Sequence, residues 1–134
     1  MSDESSSDRA FVVGGEGPLG FALPMAEVVR VVSADALPPR HRRLSLARLF
    51  GAPAERPATR YAEMKDAGVD TYFELGEAAD VRHVAADAIE AVPLCLFTTA
   101  RRWAWAGIFR DGAAYRVVVD VAALAPLAAE RGAS

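Results

Sequence analysis

The sequence holds a single cysteine and two histidines, and these scarcities exclude several chemistries at once. Cys95 stands in the apolar run Leu94-Cys95-Leu96-Phe97, where a free cysteine behaves as a small buried hydrophobe, and a disulfide within the chain is impossible. His41 and His83 are far apart in sequence. Neither has a second Cys, His or acid at metal-ligand spacing, so no zinc or other metal site is expected. Asp80 precedes His83 by three residues, a spacing that on a strand sends the two side chains to opposite faces, so no base and orienter pair is implied. A nucleophile motif such as G-x-S-x-G is missing. Positive charge is also in short supply. A formal net charge of -3 removes the electrostatic footprint of a general DNA or RNA binder. No apolar run approaches the roughly 20 residues that span a bilayer, because Arg, Glu and Asp interrupt each one. The opening Met1-Ser2-Asp3-Glu4-Ser5-Ser6-Ser7-Asp8 lacks the positive start and apolar stretch of a secretory signal and reads as a soluble tail.

What the sequence does have is enough apolar material for one compact unit: 52% hydrophobic and 25% charged residues over 134 positions, a balance that argues against disorder outside the ends. Residues 10–13 are a short β-branched run closed by Gly14-Gly15-Glu16-Gly17-Pro18, which reads as a strand and a tight reversal. Phe21-Ala22-Leu23 begins the return strand, Pro24 suits the first position of a helical turn through Met25-Ala26-Glu27, and residues 28–32 resume an extended run. Ala36-Leu37-Pro38-Pro39 reads as a connector, since consecutive prolines remove two backbone donors. Residues 44–50 fit a short helix stopped by Gly51, and Pro53 and Pro57 mark a linker. Residues 59–65 and 69–75 read as a hairpin about Asp66-Ala67-Gly68, and residues 81–84 as a further strand. Asp87 can cap a turn over residues 88–90 that Pro93 ends. The clearest signal is Asp111-Gly112 between residues 103–110 and 114–119, a dipeptide that accommodates the positive φ angles of a type I′ hairpin. Asp120 then caps a short tail through Leu124 and Leu127, which Pro126 breaks. Many short strands with few helices indicate barrels or a sandwich.

Three further patterns invite function and are better explained structurally. Gly15-Glu16-Gly17-Pro18-Leu19-Gly20 has the G-x-G-x-x-G spacing, yet no helix follows to offer amides to a pyrophosphate, so the glycines are expected to turn the chain. Arg40-His41-Arg42-Arg43 and Arg101-Arg102 could contact an acidic surface, although four adjacent positions match an ordinary solvated loop. Trp103, Trp105, Gly107 and Phe109 share one face at period two, more often core than interface.

With the strands placed, Phe21-Ala22-Leu23-Pro24-Met25-Ala26-Glu27-Val28-Val29-Arg30-Val31 resembles the opening signature of CheW-like domains: a strand, an LP turn and a V-x-x-V strand. Residues 44–51 resemble the family's v-D-L-x-x-L-G segment, and residues 73–84, with Asp80-Val81, its VD-x-V-x-x-V strands. Asp87-Ala88-Ile89 up to Pro93 resembles the turn that follows. Residues 106–124, with Asp111-Gly112 and Val118-Val119-Asp120-Val121, resemble the closing G-v-x-x-x-D-G-x-x-x-x-v-L-D-l-x-x-L. Order and spacing over most of residues 10–127 carry the likeness.

The resemblance implies a mostly β fold of two interlocked small SH3-like barrels with short helices. It implies an acidic tail over residues 1–9, a single domain over 10–128 and a flexible C-terminus over 129–134. It implies a cytoplasmic, non-catalytic adaptor without cofactor or direct membrane insertion. Such an adaptor bridges the cytoplasmic tip of a methyl-accepting chemoreceptor to a chemotaxis histidine kinase or another CheW-like protein, in membrane- or nucleoid-associated receptor clusters. By family position the partner contact falls on Val28, Val29 and Val31, with Arg30 as a charge-specific contact. The alternative for Val29 and Val31 is barrel core. Two departures stand out. Between Leu37-Pro38 and Leu44 the family has a strand pair carrying G-v-x-N-L-R-G, where this chain has only Pro39-Arg40-His41-Arg42-Arg43, so one barrel is expected to be shortened. The family also has Glu at the position of Arg30, an acid that can pair with the arginine of that motif. Losing both is self-consistent, since one charge of a partly buried pair is costly without the other. The shortening favours an accessory hub that keeps the receptor contact and loses the kinase. From another class, a small-ligand-binding barrel would line its cavity with Trp103 and Trp105.

Overall fold

A computed structural model describes residues 8–15, 19–46, 58–65, 68, 70–77, 79–92 and 104–132. Strands β1 (Asp8–Gly14) and β2 (Leu19–Pro24) open the chain, and a 3-10 turn, Met25–Glu27, leads into β3 (Val28–Ser33). After a second 3-10 turn, Ala34–Ala36, come β4 (Arg40–Ser45), β5 (Arg60–Met64), β6 (Thr71–Gly76) and β7 (Asp80–Ala85). A third turn, Ala86–Ala88, precedes β8 (Trp105–Asp111) and β9 (Ala114–Val119), and helix α1 (Val121–Leu124) precedes β10 (Ala129–Gly132). The strands form two five-stranded sheets, β7-β1-β2-β9-β8 and β10-β4-β6-β5-β3. The chain enters the first sheet, crosses to the second, returns for β7 to β9 and crosses again for β10, so the sheets are interlocked and the protein is mostly β, as anticipated.

The first sheet is apolar on both faces, which is why its strands read as continuous hydrophobic runs. Along β1, Phe11 and Val13 face one way and Val12 the other; along β2 and β9, Ala22 and Val118 oppose Phe21, Leu23, Val117 and Val119. Phe11, Val13, Ala22, Phe109 and Val118 form the interior of the first barrel, with the rings of Phe11 and Phe109 5.3 Å apart. The opposite set packs against Leu44, Leu46, Ala62, Met64, Phe73 and Leu75 of the second sheet. The first sheet curls enough for Glu90, beyond β7, to exchange backbone hydrogen bonds of 2.9 Å with Ile108 of β8.

Several local expectations change. The basic cluster read as a solvated loop is strand β4, paired with β6 and β10. Its polar sequence puts charged side chains on both faces, with Arg40 and Arg42 on the side where Leu44 anchors the strand in the core. The second sheet therefore counts five strands, with β4 running through residues 40–43, read from the sequence as the remnant of the family's strand pair, and the connection from β3 to β4 is short, residues 34–39. Residues 129–132, in the segment expected to be a flexible C-terminus, pair antiparallel with β4; Arg42 donates to the Ala128 carbonyl at 2.8 Å and holds the entry to that strand. At the other end β1 already begins at Asp8, opposite Ala85. The period-two face of β8 is broken by a bulge between Trp105 and Gly107. Trp105 joins the core between the sheets, with Ile108, while Phe109 turns into the first barrel. Residues 47–50 of the expected helix, Cys95, Arg101, Arg102 and Trp103 lie outside the described residues.

Of the glycine-rich segment, Gly15 has φ +93° and does turn the chain. Gly20 lies inside β2 and serves another purpose: a Cβ there would stand 2.2 Å from an Arg116 guanidinium nitrogen and 2.5 Å from the Gly14 carbonyl. Arg116 crosses this bare backbone to donate to Gly14 O at 2.8 Å and to Asp111 at 3.0 Å. Asp111 also accepts from Arg82 of β7 at 3.0 Å. Burial pushes the Asp111 carboxyl up, but hydrogen bonds and charge from Arg82 and Arg116 outweigh it and hold the group below the usual carboxylate range.

Candidate partner-binding edge

Strand β3 is an edge of the second sheet, paired only with β5 among the described residues. Its register shifts between Val28 and Arg30, so Val29 is the extra residue of a bulge, a device that bends an edge and guards it against indiscriminate pairing. Val28 packs against the core between the sheets. Val29 and Val31 are 55% and 39% exposed, so of the two readings of these valines the structure places them at the surface. The alternation suggesting core is real, but Val31 lies at the outer end of the row Val31–Ala62–Phe73–Leu44, with no described strand beyond it.

Arg30 ends a parallel row on the opposite face. It stands across from Glu63 of β5, which stands across from Tyr72 of β6, itself beside Arg43 of β4. The Arg30 Nε donates to Glu63 Oε1 at 2.7 Å, and the side chains are 63% and 22% exposed respectively. Glu63 gives Arg30 an acidic partner within its own sheet. Its hydrogen bond and charge, joined by the Tyr72 hydroxyl, raise the Arg30 pKa further. Burial and the Glu63 charge push the Tyr72 phenol up, against the hydrogen bond from Arg30. The guanidinium is therefore tied to its own sheet while the side chain stays mostly exposed.

The remaining candidates are occupied elsewhere. Arg43 donates to the Tyr61 hydroxyl at 2.9 Å and lies 3.6 Å from Glu74. Arg42 reaches Ala128, and the His41 Nδ1 lies 3.0 Å from the Pro38 carbonyl. Asp80 and His83 sit on β7, with Asp80 paired to Arg82 at 2.9 Å, which lowers the Asp80 pKa through hydrogen bonds from Arg82 and the Val81 amide. No group of three His, Cys, Asp or Glu side chains that could hold a metal occurs among the described residues. No helix among them is long and apolar enough to cross a membrane. Glu63 and Tyr72 are the site residues that sequence reading missed. Only the strand order puts them beside Arg30, although the alternation of residues 59–65 already places Glu63 on a polar face.

No family model matches the chain, and no curated protein matches it. Among solved structures it is similar to the scaffolding protein TtCheW from Thermoanaerobacter tengcongensis, at 15% identity and a TM-score of 0.66, covering 84% of each chain. The chain has the CheW-like fold.

Proposed function

We propose that this protein is a non-catalytic adaptor of bacterial chemosensory signalling that links a chemoreceptor to a histidine kinase or to another coupling protein, through the β3 edge formed by Val28, Val29, Arg30 and Val31. The observation that carries the reading is a CheW-like fold extending over 84% of the chain, combined with two exposed valines flanking an oriented arginine on an edge strand. The two interlocked sheets, from Asp8 to Gly132, then act as one unit in the cytoplasm, recruited to receptor clusters by contact. The filled interior of the first barrel and the placement of Trp105 in the core between the sheets favour this over a small-ligand barrel.

A second reading has its own observation. The connection 34–39 is a single 3-10 turn and a proline pair, so little surface projects from the chain at the end of β3, and a hub that binds receptor without kinase is the reading that this short link favours. The experiment is separate titration of the purified protein with a cytoplasmic chemoreceptor fragment and with the kinase regulatory domain, for wild type and for Val29→Asp and Val31→Asp. The adaptor predicts binding to both and the hub binding to receptor alone. In either case each substitution weakens binding about tenfold, the ~1.4 kcal/mol of a buried interface contact, while folding stability moves by less than about 0.5 kcal/mol. Capture of neither partner refutes both readings.

A further inference from the structure

Two rows of side chains run across the second sheet and stop at β3. On one face the row Arg30–Glu63–Tyr72–Arg43 begins with a cation, followed by an anion. On the other the row Val31–Ala62–Phe73–Leu44 is wholly apolar. Neither row has a further member on the open side of β3 among the described residues. The bulge at Val29 bends the start of the strand and leaves residues 30–33 in regular pairing with β5. The chemistry of a strand laid along that edge is thereby specified: beside Arg30 a carboxylate would continue the alternation of charge, and beside Val31 an apolar side chain would continue the core row. We infer that β3 receives an extended segment of a partner protein as an added strand, recognised by an acidic residue next in sequence to an apolar one. The inference rests on the reading of β3 as the partner contact and gives the mode and specificity of that contact.

Two physical features support the assignment. Strand addition draws affinity from main-chain hydrogen bonds and specificity from alternate side chains, and β3 offers both a main-chain edge and two chemically distinct faces. Arg30 is 63% exposed although its Nε is bound to Glu63, so a guanidinium held by its own sheet stays accessible at the edge, and such a planar fork suits a carboxylate. Glu63 acts as the positioning residue, since without it the side chain loses the hydrogen bond that orients it.

The test titrates the full chain, labelled with 15N, with a nine-residue synthetic peptide of alternating valine and glutamate capped by threonine, and with its lysine-for-glutamate counterpart. Binding should slow hydrogen exchange at the amides of residues 30–33. The glutamate peptide should bind about fivefold to tenfold more tightly, the span of an opposite-charge against a like-charge cross-strand pair. The charge swap R30E/E63R keeps the internal pair and should reverse the preference; if that variant fails to fold, R30Q should abolish it. Equal affinity for the two peptides, protection away from residues 30–33, or a preference unchanged by these variants overturns the inference. A chain that captures the chemoreceptor fragment but neither peptide retains its adaptor role and loses strand addition. One that discriminates the peptides but captures neither receptor nor kinase domain retains strand addition and loses the chemosensory role.

Discussion

Replacing Gly20 with alanine tests how the first barrel is closed. The β2 backbone at Gly20 is outside the positive-φ region, so alanine has no conformational objection there, and by restricting the unfolded chain alone it would stabilise by about 0.4–1 kcal/mol. Sterics reverse the sign. The new methyl would lie 2.2 Å from Arg116 and 2.5 Å from the Gly14 carbonyl. The guanidinium can move, but only by giving up its bonds to Gly14 O and Asp111, each worth roughly 1.5–3 kcal/mol as a hydrogen bond to a charged group. The carbonyl is part of the β1–β2 ladder and cannot swing away cheaply. With the entropy gain and rehydration of the arginine set against this, the net loss should be about 2–4 kcal/mol, which at a urea m value of about 2 kcal/mol per molar lowers the midpoint by 1–2 M, roughly. Gly112→Ala is the control: at φ +62° with nothing within 4 Å of an added Cβ, it should lose only the left-handed backbone term of about 1–2 kcal/mol. In an Arg116→Met background the cost of Gly20→Ala should shrink, because the two changes remove the same bonds. A Gly20→Ala protein within 0.5 kcal/mol of wild type, roughly, or strict additivity with Arg116→Met, would refute the account.

Two other outcomes follow from the same barrel. The Asp111 pKa is depressed in the folded state, so its contribution to stability is complete above the ordinary carboxylate range near 4 and is lost as pH falls toward the folded value. Asp111→Asn should therefore be less stable than wild type at neutral pH, with the gap closing in acid, as read from urea midpoints across pH 2 to 7, roughly. A gap that persists unchanged at the acid end would show that charge is not the source. Phe109→Ala should cost about 3–5 kcal/mol by emptying the interior between Phe11 and Val118, and a loss under about 1.5 kcal/mol in the same assay would mean that the barrel collapses to fill the space.

Local signals were legible wherever they sufficed. The hairpin at Asp111-Gly112, the Pro24 turn and the β-branched runs of β1 and β3 could be read from the chain, because turn chemistry and short-range periodicity decide them. The turn itself, however, is Gly112-Ala113 with a positive φ at Gly112 alone, and Asp111 closes β8 opposite Ala114. What escaped were features decided by residues far away. β4 reads as a charged loop until β6 is beside it in parallel, bringing Glu74 and Tyr61 to Arg43. The pairing of Phe21 with Val117 joins positions nearly a chain length apart, and no local pattern announces it. The valines of β3 look like core by alternation and are exposed by topology, since being an edge strand is a property of the sheet and not of the strand. Glu63 and Tyr72 were invisible as site residues for the same reason.

The two sheets differ in what they bury and what they leave open. The inner face of the first is Phe11, Val13, Ala22, Phe109 and Val118, with Arg82, Asp111 and Arg116 joining β7 to the β8–β9 hairpin at its rim. A dry, tied interior of this kind resists deformation. The corresponding face of the second sheet carries the row Arg30–Glu63–Tyr72–Arg43, with Glu74 3.6 Å from Arg43, and the row leaves Arg30 exposed at its outer end. An exposed edge fully apolar on both faces would aggregate. On β3 the exposed large apolar side chains among the described residues are only Val29 and Val31, at a bulge and beside a charge, so the apolar area open to indiscriminate pairing there is small. Strengthening that edge by replacing Arg30 with valine would add apolar area and remove the charge that selects the partner. In the proposed strand addition the Arg30–Glu63 pair is a specificity device: it would favour an acidic partner and disfavour self-pairing of β3, in which two copies of Arg30 would face each other in the centred antiparallel register.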